Sequence, residues 1–521
     1  MASLARNTLY LTGARLLDVT LYALFGLILP RHVSTETNGV YSLVSTLLFF
    51  GSMAASFGIP LVFVRSVARH PERSARLYVD ARTAMLGGAA LAGVGMLAWV
   101  LLEQGVQGEA DPSRYHFVAF AIAILFCDAL SMAAESLFQA HEEMVVPARV
   151  SVLTGLLRAG GGIAALLLLS PGVPPAGAAP DWGRGSLYGV YACFLLGAGI
   201  RAWFLPRMAR RRFLPGELPR PEAASAWSLL RESLGVALFR MLRMVRNRID
   251  MQLLGLLIPA AALGGLSALE AVDKARGLYG QAFRVVLVFH TLTMAFNTAL
   301  FPRMARLTGS GRGPEEVRPL FFRAVRYQAW WAAPLAAVTF LYAPQVAGWF
   351  GEEYRQGVAG LGSTTGVLRI LAVAMLLDTI GGPVGMLLIG QKEMDRKLPW
   401  FGAALAVTSV AANVLLIPRY GIHGAAWASL TASAVEFLVK LILIRRFLGS
   451  PWPMLPAILP YLLLAAGGAV GLTLTPLAAH PILGGLTLAA AFLLLTLALG
   501  LVDPAVVSRL RRLGGGGGEA A

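Results

Sequence analysis

The charged side chains with the clearest spacing lie in the segment FRMLRMVRNRID, residues 239–250. On a helix that turns by about 100° per residue, one arc of about 120° holds five polar side chains: Arg240, Arg243, Arg246, Asn247 and Asp250. Arg248 lies off this arc. A row of guanidinium groups suits an anionic ligand such as a phosphate, but it is also typical of a basic amphipathic helix on a cytoplasmic surface. The spacing therefore predicts either a cationic cavity wall or an interfacial helix.

A second group of charges lies in the segment EAVDKARGLYGQAFR, residues 270–284. Lys274 and Arg284 are further candidates for binding an anion, because a charge inside an apolar segment needs a cavity or a partner. Glu270 lies one helical turn before Lys274 and could neutralise it. The alternative is that this segment is an amphipathic edge at the outer surface of a membrane.

Acids within apolar segments could bind a coupling proton or cation, because an unpaired carboxylate is costly in a low dielectric. Six such candidates occur: Asp18, Asp128, Glu135, Asp250, Asp273 and Asp378. Arg15 lies three residues before Asp18, which predicts a self-neutralising pair. The other acids could instead bond to a neighbouring helix. Glu436 and Lys440, four residues apart, are expected to pair.

The elements that must hold these charges are transmembrane helices. Of the 521 residues, 57% are hydrophobic and only 14% are charged, whereas a soluble protein has about 25% charged residues. The apolar residues come in continuous blocks of about 20, the length of a helix that crosses a bilayer. The composition therefore predicts an all-α polytopic membrane protein and excludes a soluble enzyme. Basic cytoplasmic loops explain the net charge of +16, so nucleic acid is not an expected partner.

The apolar blocks predict fourteen transmembrane helices. They cover residues 8–30, 38–63, 83–102, 115–139, 150–170, 186–206, 229–259, 264–302, 327–350, 363–390, 399–417, 423–444, 454–476 and 483–502. With the N-terminus inside, the inside connections hold 26 of the 44 Lys and Arg residues and the outside connections hold five. This asymmetry predicts a multi-pass protein of the cytoplasmic (inner) membrane with both termini cytoplasmic.

A long basic connection divides these helices into two groups. We predict a first six-helix bundle with its linker at 1–228, a second six-helix bundle at 229–450, and two peripheral helices with a Gly-rich tail at 451–521. The two halves show weak sequence similarity, and both begin on the inside. LFGLILP at 24–30 in the first half resembles LLGLLIP at 253–259 in the second, and AHEEM at 140–144 resembles GQKEM at 390–394. Parallel repeats of this kind are typical of transporters whose halves are related by an axis along the membrane normal.

Sequence motifs for enzymatic chemistry are absent. The sequence contains no GxxxxGK[ST] motif for nucleotide phosphates and no HExxH motif for zinc, and its seven histidines are scattered. The longest outside connection, 171–185, holds a single acid, Asp181. We therefore expect that the protein is not an enzyme and that it uses neither a cofactor nor a bound metal.

The most specific motif is NVLLIPRYGIHGAAWASLTASAVEF, residues 413–437. In it Pro418 ends one helix, Gly421 turns the chain and Gly424 lets the next helix pack closely. Together with GVYSLVSTLLFFGSMAASFGIPLVFVRSVAR at 39–69, this hairpin resembles the polysaccharide repeat-unit flippases. That family belongs to the multidrug/oligosaccharidyl-lipid/polysaccharide exporter superfamily, which also includes the multidrug and toxin extrusion transporters and the lipid II flippases.

The resemblance implies two six-helix bundles around a central cavity that is lined by the arginines of the seventh helix. It implies that a polyprenyl-diphosphate-linked oligosaccharide is flipped across the cytoplasmic membrane by ion-coupled alternating access, with a proton or sodium as the coupling ion. Membrane lipids and the polysaccharide polymerase machinery are the further partners that it suggests. If the row of arginines carries the cargo, Arg243→Ala costs more transport than Arg248→Ala.

Two other functions remain open at this point. A multidrug or cation antiporter of the same superfamily should have a net-acidic cavity, whereas the intramembrane charges here tilt basic. A membrane glycosyltransferase or polymerase should have an acidic catalytic loop, and the sequence contains no such loop.

Overall fold

The structure is a computed structural model that describes residues 17–18, 20–175, 178–258, 265–309, 314–389, 397–450 and 453–502. Over these ranges the chain folds into helices, and the β structure consists of one isolated bridge between Val358 and Gly362. The all-α fold predicted from the composition is therefore confirmed.

The first half of the chain, where it is described, forms eight helices. They are α1 (Thr20–Arg31), α2 (Thr35–Ser56), α3 (Ile59–Arg69), α4 (Ser74–Gln107), α5 (Pro112–Ala140), α6 (Val145–Gly155), α7 (Gly161–Leu169) and α8 (Arg184–Phe213). A π-helical turn at Leu156–Gly160 joins α6 to α7. Ser34 accepts a hydrogen bond from the backbone of Thr37 and so caps α2, and Asp111 caps α5 in the same way.

The second half contains the longest helices. They are α9 (Ala223–Leu257), α10 (Ala268–Gly309), α11 (Pro314–Leu341), α12 (Ala343–Phe350), α13 (Glu352–Gln356), α14 (Thr364–Ile380), α15 (Gly382–Ile389), α16 (Leu398–Leu448), α17 (Met454–Thr473) and α18 (Pro481–Ala498). Each of the fourteen apolar blocks, where it is described, corresponds to one of these helices, to a pair of them or to part of α16.

Glycines mark the places where the helices deviate from the predicted blocks. Phe57 and Gly58 have φ angles of 42° and 70°, and they separate α2 from α3 inside the predicted helix 38–63. Gly421 has φ 56° and breaks α16 into two helices. Gly424 packs so closely that a side chain there would collide with the carbonyl oxygen of Leu416. The predicted turn at Gly421 and the close packing at Gly424 are therefore confirmed. Pro418, which was expected to end the first helix, lies inside it, and the break comes three residues later at Gly421.

Nine helical segments in the described ranges are long and apolar enough to cross a membrane, and Thr20–Arg31 is a shorter apolar helix. One of the nine, Pro399–Arg445, contains two of the predicted helices on either side of the break in α16. The long helices α9, α10 and α11 are not among the nine, and these three helices are rich in charged residues. The chain is therefore a multi-pass membrane protein whose charged helices are concentrated in its second half.

The chain divides into two compact units. The first lies within Met1–Val285, Ala347–Val367 and Asp395–Ala432, and the second lies within Val286–Val346, Leu368–Met394 and Ser433–Ala521. In the first unit, Phe25, Tyr41, Phe117 and Tyr191 belong to one core cluster of buried side chains from the helices of the first half. In the second unit, Tyr342, Leu472 and Leu488 pack together and join α11, α17 and α18. The division into bundles at residues 228 and 450 stays a prediction.

Candidate functional site

Arg284 of α10 is a half-buried cation that is solvated by neutral groups. Its Nη1 donates to the side-chain oxygens of Asn38 at 2.8 Å and Gln281 at 2.7 Å, and its Nη2 donates to Oγ of Ser42 at 2.7 Å. The guanidinium carbon also lies 5.1 Å from the centre of the Tyr41 ring. None of these partners is an acid, so the positive charge of Arg284 is held in place without being neutralised.

Arg248 of α9 is a second such cation in the same unit. Its guanidinium carbon lies 4.2 Å from the centre of the Phe283 ring and 5.2 Å from the centre of the Phe49 ring. Cation–π contacts of this kind hold a guanidinium but leave its charge in place. Among the described residues no carboxylate lies within ion-pair distance of Arg248 or Arg284.

Asp250 is the acid next to Arg248 in sequence, and neutral donors occupy its oxygens. It is buried, and it accepts hydrogen bonds from the hydroxyl of Tyr279, from Oγ of Ser429 at 3.2 Å and from the backbone N–H of Met251 at 2.8 Å. The site therefore holds two positively charged arginines and one carboxylate that is hydrogen-bonded to neutral groups. A low-dielectric site with excess positive charge favours an anionic ligand, and arginine suits phosphate because it binds two oxygens at once.

The row of arginines predicted on the seventh helix divides into exposed and inward-facing members. Arg240 and Arg243 have exposed side chains. Arg246 donates to the side-chain oxygen of Asn247 at 2.7 Å, and both residues are half-buried. Arg248, which the helical wheel placed off the arc, is the arginine that contacts α2 and α10. The wheel did not reveal this because it shows which residues share a face and not which helix covers that face.

Lys274 and Asp273 belong to a different set of contacts at the beginning of α10. Nζ of Lys274 lies 2.9 Å from Glu36 and 2.6 Å from Glu353, so the expected pair with Glu270 is replaced by two acids from distant segments. Asp273 is buried and lies 2.6 Å from the guanidinium of Arg114. Both residues are neutralised within the protein, and the structure gives no support to Lys274 as an anion ligand.

Two of the six candidate acids are paired with arginines inside the first half of the chain. Asp128 lies 2.8 Å from Arg158, and Glu135 pairs with Arg201. The arginines at 158 and 201 interrupt the fifth and sixth apolar blocks, and that was the available signal for these pairs. The structure shows the alternative in which each of these two acids bonds to a neighbouring helical segment, and ion coupling through them stays a prediction.

The remaining acids differ in how they are placed. Asp18 is half-buried, and its Oδ1 has no hydrogen-bond partner among the described residues. Arg15, its expected partner, lies outside the described residues. Asp378 is half-buried on α14 in the second unit. Glu436 and Lys440 lie 2.6 Å apart, which confirms the expected pair.

Comparison with known proteins identifies relatives of the sequence and of the fold. The sequence model of the family described as "Polysaccharide biosynthesis protein" matches residues 4–308, more than half of the chain. No curated protein matches the chain.

Solved membrane transporters have a similar fold. The structure of "Lipid II flippase MurJ, inward closed conformation" matches with a TM-score of 0.70 and 11% identity over 94% of this chain and 99% of that one. A mutant of the Vibrio cholerae MATE transporter VcmN matches with a TM-score of 0.52 and 16% identity, covering 85% and 97% of the two chains. An outward-facing multidrug resistance MATE family transporter of the MOP superfamily matches at 0.51 and 15%, covering 84% and 95%. At these identities the likeness concerns the fold.

Proposed function

Because the chain belongs to the polysaccharide biosynthesis protein family, we propose that it flips a polyprenyl-diphosphate-linked oligosaccharide across the cytoplasmic membrane. The solved structures that share its fold are of a lipid II flippase and of MATE transporters, one of them a multidrug resistance transporter, and this supports a transporter rather than an enzyme. The proposal goes beyond that coarser function in naming the cargo, the membrane and the residues that bind the cargo.

The observation that carries the proposal is the pair Arg248 and Arg284. Each cation is held by aromatic rings, and Arg284 is also held by neutral oxygens, yet neither has an acidic partner among the described residues. Both side chains are half-buried, and a partly desolvated charge without an ion-pair partner favours binding of an anionic ligand. A diphosphate carries charge on several oxygens and so suits two guanidinium groups.

The aromatic rings beside Arg248 suit the sugar part of the cargo. Phe49 and Phe283 flank this arginine, and aromatic rings stack on the apolar faces of sugars. The amides of Asn38 and Gln281 are fully buried and bonded within the protein, so their role is to hold Arg284 in place. A cationic drug would be repelled by the same two arginines, so the site favours the lipid-linked saccharide over an antiporter of organic cations.

Ion coupling is proposed through two of the six candidate acids, Asp18 and Asp250. Among the described residues neither carboxylate has an ion-pair partner, and Asp250 is bonded only to neutral donors. Binding of a proton or sodium at either carboxylate would change the net charge of the first unit by one. That change would alter how strongly the unit attracts an anionic cargo.

Reconstitution into liposomes tests the proposal. Vesicles would carry an undecaprenyl-diphosphate oligosaccharide with a fluorescent sugar, and an impermeant quencher would report which leaflet holds it. We expect the wild-type protein to move the sugar between leaflets and Arg248→Gln/Arg284→Gln to do so at least tenfold more slowly. If wild-type protein leaves the lipid in place and transports an organic cation instead, the function is that of an antiporter and the proposal is wrong.

A further inference from the structure

A second set of buried charges lies where α4, α5 and α10 meet. Glu103 at the end of α4 accepts hydrogen bonds from Arg114 at 2.5 Å and, through both of its oxygens, from Arg276 at 2.6 Å each. Arg114 also pairs with Asp273 at 2.6 Å. Glu103, Arg114 and Arg276 are each 0% exposed, so the network excludes water. Two arginines and two acids balance here. A third acid, Asp111, lies 3.8 Å from Arg114 and is itself paired with Arg184 at 2.9 Å, so the network needs no outside ligand.

The connection between α4 and α5 also binds the ends of α9 and α10. The side chain of Glu109 accepts hydrogen bonds from the backbone N–H groups of Ala268 and Leu269 at 3.0 and 3.1 Å, and in this way it caps α10. Gln107 donates to the carbonyl oxygen of Gly255 near the end of α9 at 2.8 Å. The α4–α5 connection thus forms hydrogen bonds with free backbone groups at the end of α9 and at the beginning of α10.

The hydrogen bonds to Glu109 have a measurable electrostatic consequence. Burial raises the pKa of its carboxyl, but hydrogen bonds from Ser267, Leu269 and Ala268 lower it more, so that the net pKa lies below the ordinary value for glutamate. A lowered pKa in the folded state means that this contact stabilises the protein above the unfolded pKa. The contribution is lost as the pH falls through the folded pKa.

Two glycines bring α2 and α10 into backbone contact beside the network. A Cβ atom on Gly39 would collide with the carbonyl oxygen of Asp273, and a Cβ atom on Gly277 would collide with the carbonyl oxygen of Thr35. The Cβ atoms would lie 1.8 and 2.0 Å from these oxygens, far closer than van der Waals contact. Any side chain at either position would force the two helices apart.

Lys274 extends the contact from α2 to the short helix α13. It pairs with Glu36 on α2 and with Glu353 on α13, while Asn38 donates to the hydroxyl of Tyr354 at 2.9 Å. Three segments that are distant in sequence therefore meet at one end of the unit. On α10, Arg284 follows Arg276 by about two turns, roughly 12 Å of helix, and its side chain reaches back to Asn38. The network and the glycine crossing stand between Arg284 and the beginning of α10.

We propose that the network Glu103–Arg114–Asp273–Arg276, together with the Gly39–Gly277 crossing, is the closed outer gate of the transporter. This inference rests on the proposed alternating access, and on the predicted topology in which the α4–α5 connection is outside. Ion pairs suit a gate because the gain from pairing and the cost of desolvation nearly cancel. Opening would hydrate all four charges together, and so the closed and open states can lie close in free energy.

Accessibility of a buried cysteine tests the gate without any cargo. In a background lacking native thiols (Cys127→Ala/Cys193→Ala), Thr46→Cys places a reporter on buried α2, one turn beyond Ser42. An impermeant thiol reagent is added to the outside of intact cells. Gly277→Ala should push α2 and α10 apart, and we expect labelling of the reporter to become at least fivefold faster.

Gly95→Ala on α4 is the matched control, because a Cβ atom there meets no other atom within 4 Å and labelling should not change. Should Gly277→Ala fail to fold, Lys274→Gln provides a milder opening of the same contact. Equal labelling in the opened variants and the control, or labelling from the cytoplasmic side alone, would overturn the gate. The readout uses no lipid-linked sugar, so a gate that opens as expected leaves the cargo to be tested separately.

Discussion

Two pairs of inward-facing arginines in the first unit differ in what neutralises them. Arg114 and Arg276 share Glu103, and Arg114 also has Asp273, so their charge is balanced within the protein. Arg248 and Arg284 lie on aromatic rings, and Arg284 is bonded to neutral oxygens. The first pair needs nothing from outside the chain. On the proposed function, the second pair, which has only the hydrogen-bonded Asp250 as a nearby acid, binds the anionic cargo.

On the proposed function, this difference separates a structural role from a binding role for the same type of side chain. Residue type and an inward orientation alone would have assigned all four arginines to one class. An ion-paired carboxylate is what distinguishes them, because a half-buried guanidinium without one is the more favourable partner for an anionic ligand.

The largest effect is expected for the compensated pair and concerns stability. Arg276→Ala leaves Glu103 with one guanidinium instead of two in a dry site, and breaking a buried ion pair costs about 3–5 kcal/mol. We expect a lower melting temperature in detergent. Arg276→Met/Glu103→Met should recover part of the loss, because no unpaired charge remains at those two positions. Equal destabilisation of the single and double variants would show that the ion pair itself is not the cause.

The uncompensated pair should affect transport more than stability. Arg284→Ala removes three charged hydrogen bonds to neutral partners and, on the proposed function, the contact with the diphosphate. Charged hydrogen bonds are worth about 1.5–3 kcal/mol, which corresponds to about 10- to 100-fold in transport rate. Arg284→Lys should recover only part, since the charge returns without the planar fork. A melting temperature that falls as far as in Arg276→Ala would place Arg284 in the structural class.

A third substitution tests whether the ion pair between Asp128 and Arg158 has a structural role. Asp128→Asn leaves Arg158 without its partner and should lower transport severalfold. Asp128→Asn/Arg158→Gln should restore most of it, because the pair lies 2.8 Å apart and one member needs the other. If the double variant transports cargo but no longer responds to the ion gradient, Asp128 is an ion-coupling residue after all.

The smallest effect is expected on the exposed side of α9. Arg243→Ala should change transport by less than about threefold, because substitutions at exposed positions are usually within about 0.5 kcal/mol. Arg248→Ala should cost more, since this side chain is held on Phe283. Complementation of surface polysaccharide in a flippase-deficient strain would rank the two at matched expression. If Arg243→Ala lost more transport than Arg248→Ala, the cargo would follow the row of arginines at 240, 243 and 246 instead.

The fold could be predicted from the sequence because hydrophobic length and helix breaks are local properties. The blocks of apolar residues and the turn at Gly421 needed no knowledge of distant segments. The local spacing rule also found the pair Glu436–Lys440 correctly. Local rules failed wherever the partner came from elsewhere in the chain.

Lys274 shows why the site was harder to predict. Its spacing suggested Glu270 as a partner, but Glu36 and Glu353 pair with it once α2 and α13 are folded against α10. Glu103 and Arg276 are 173 residues apart, and no periodicity connects them. The helical wheel missed Arg248 for the same reason, because α2 and α10 rather than α9 supply its surroundings.

Binding of undecaprenyl diphosphate to the purified protein tests the central claim most directly. The measurement is titration by native mass spectrometry, with undecaprenol as the uncharged reference lipid. We predict that wild-type protein and Arg240→Gln/Arg243→Gln bind the diphosphate equally, and that Arg248→Gln/Arg284→Gln binds it at least tenfold more weakly. Equal weakening in both double variants, or equal binding of undecaprenol, would contradict the account, since the positions of the uncompensated charges would then not matter.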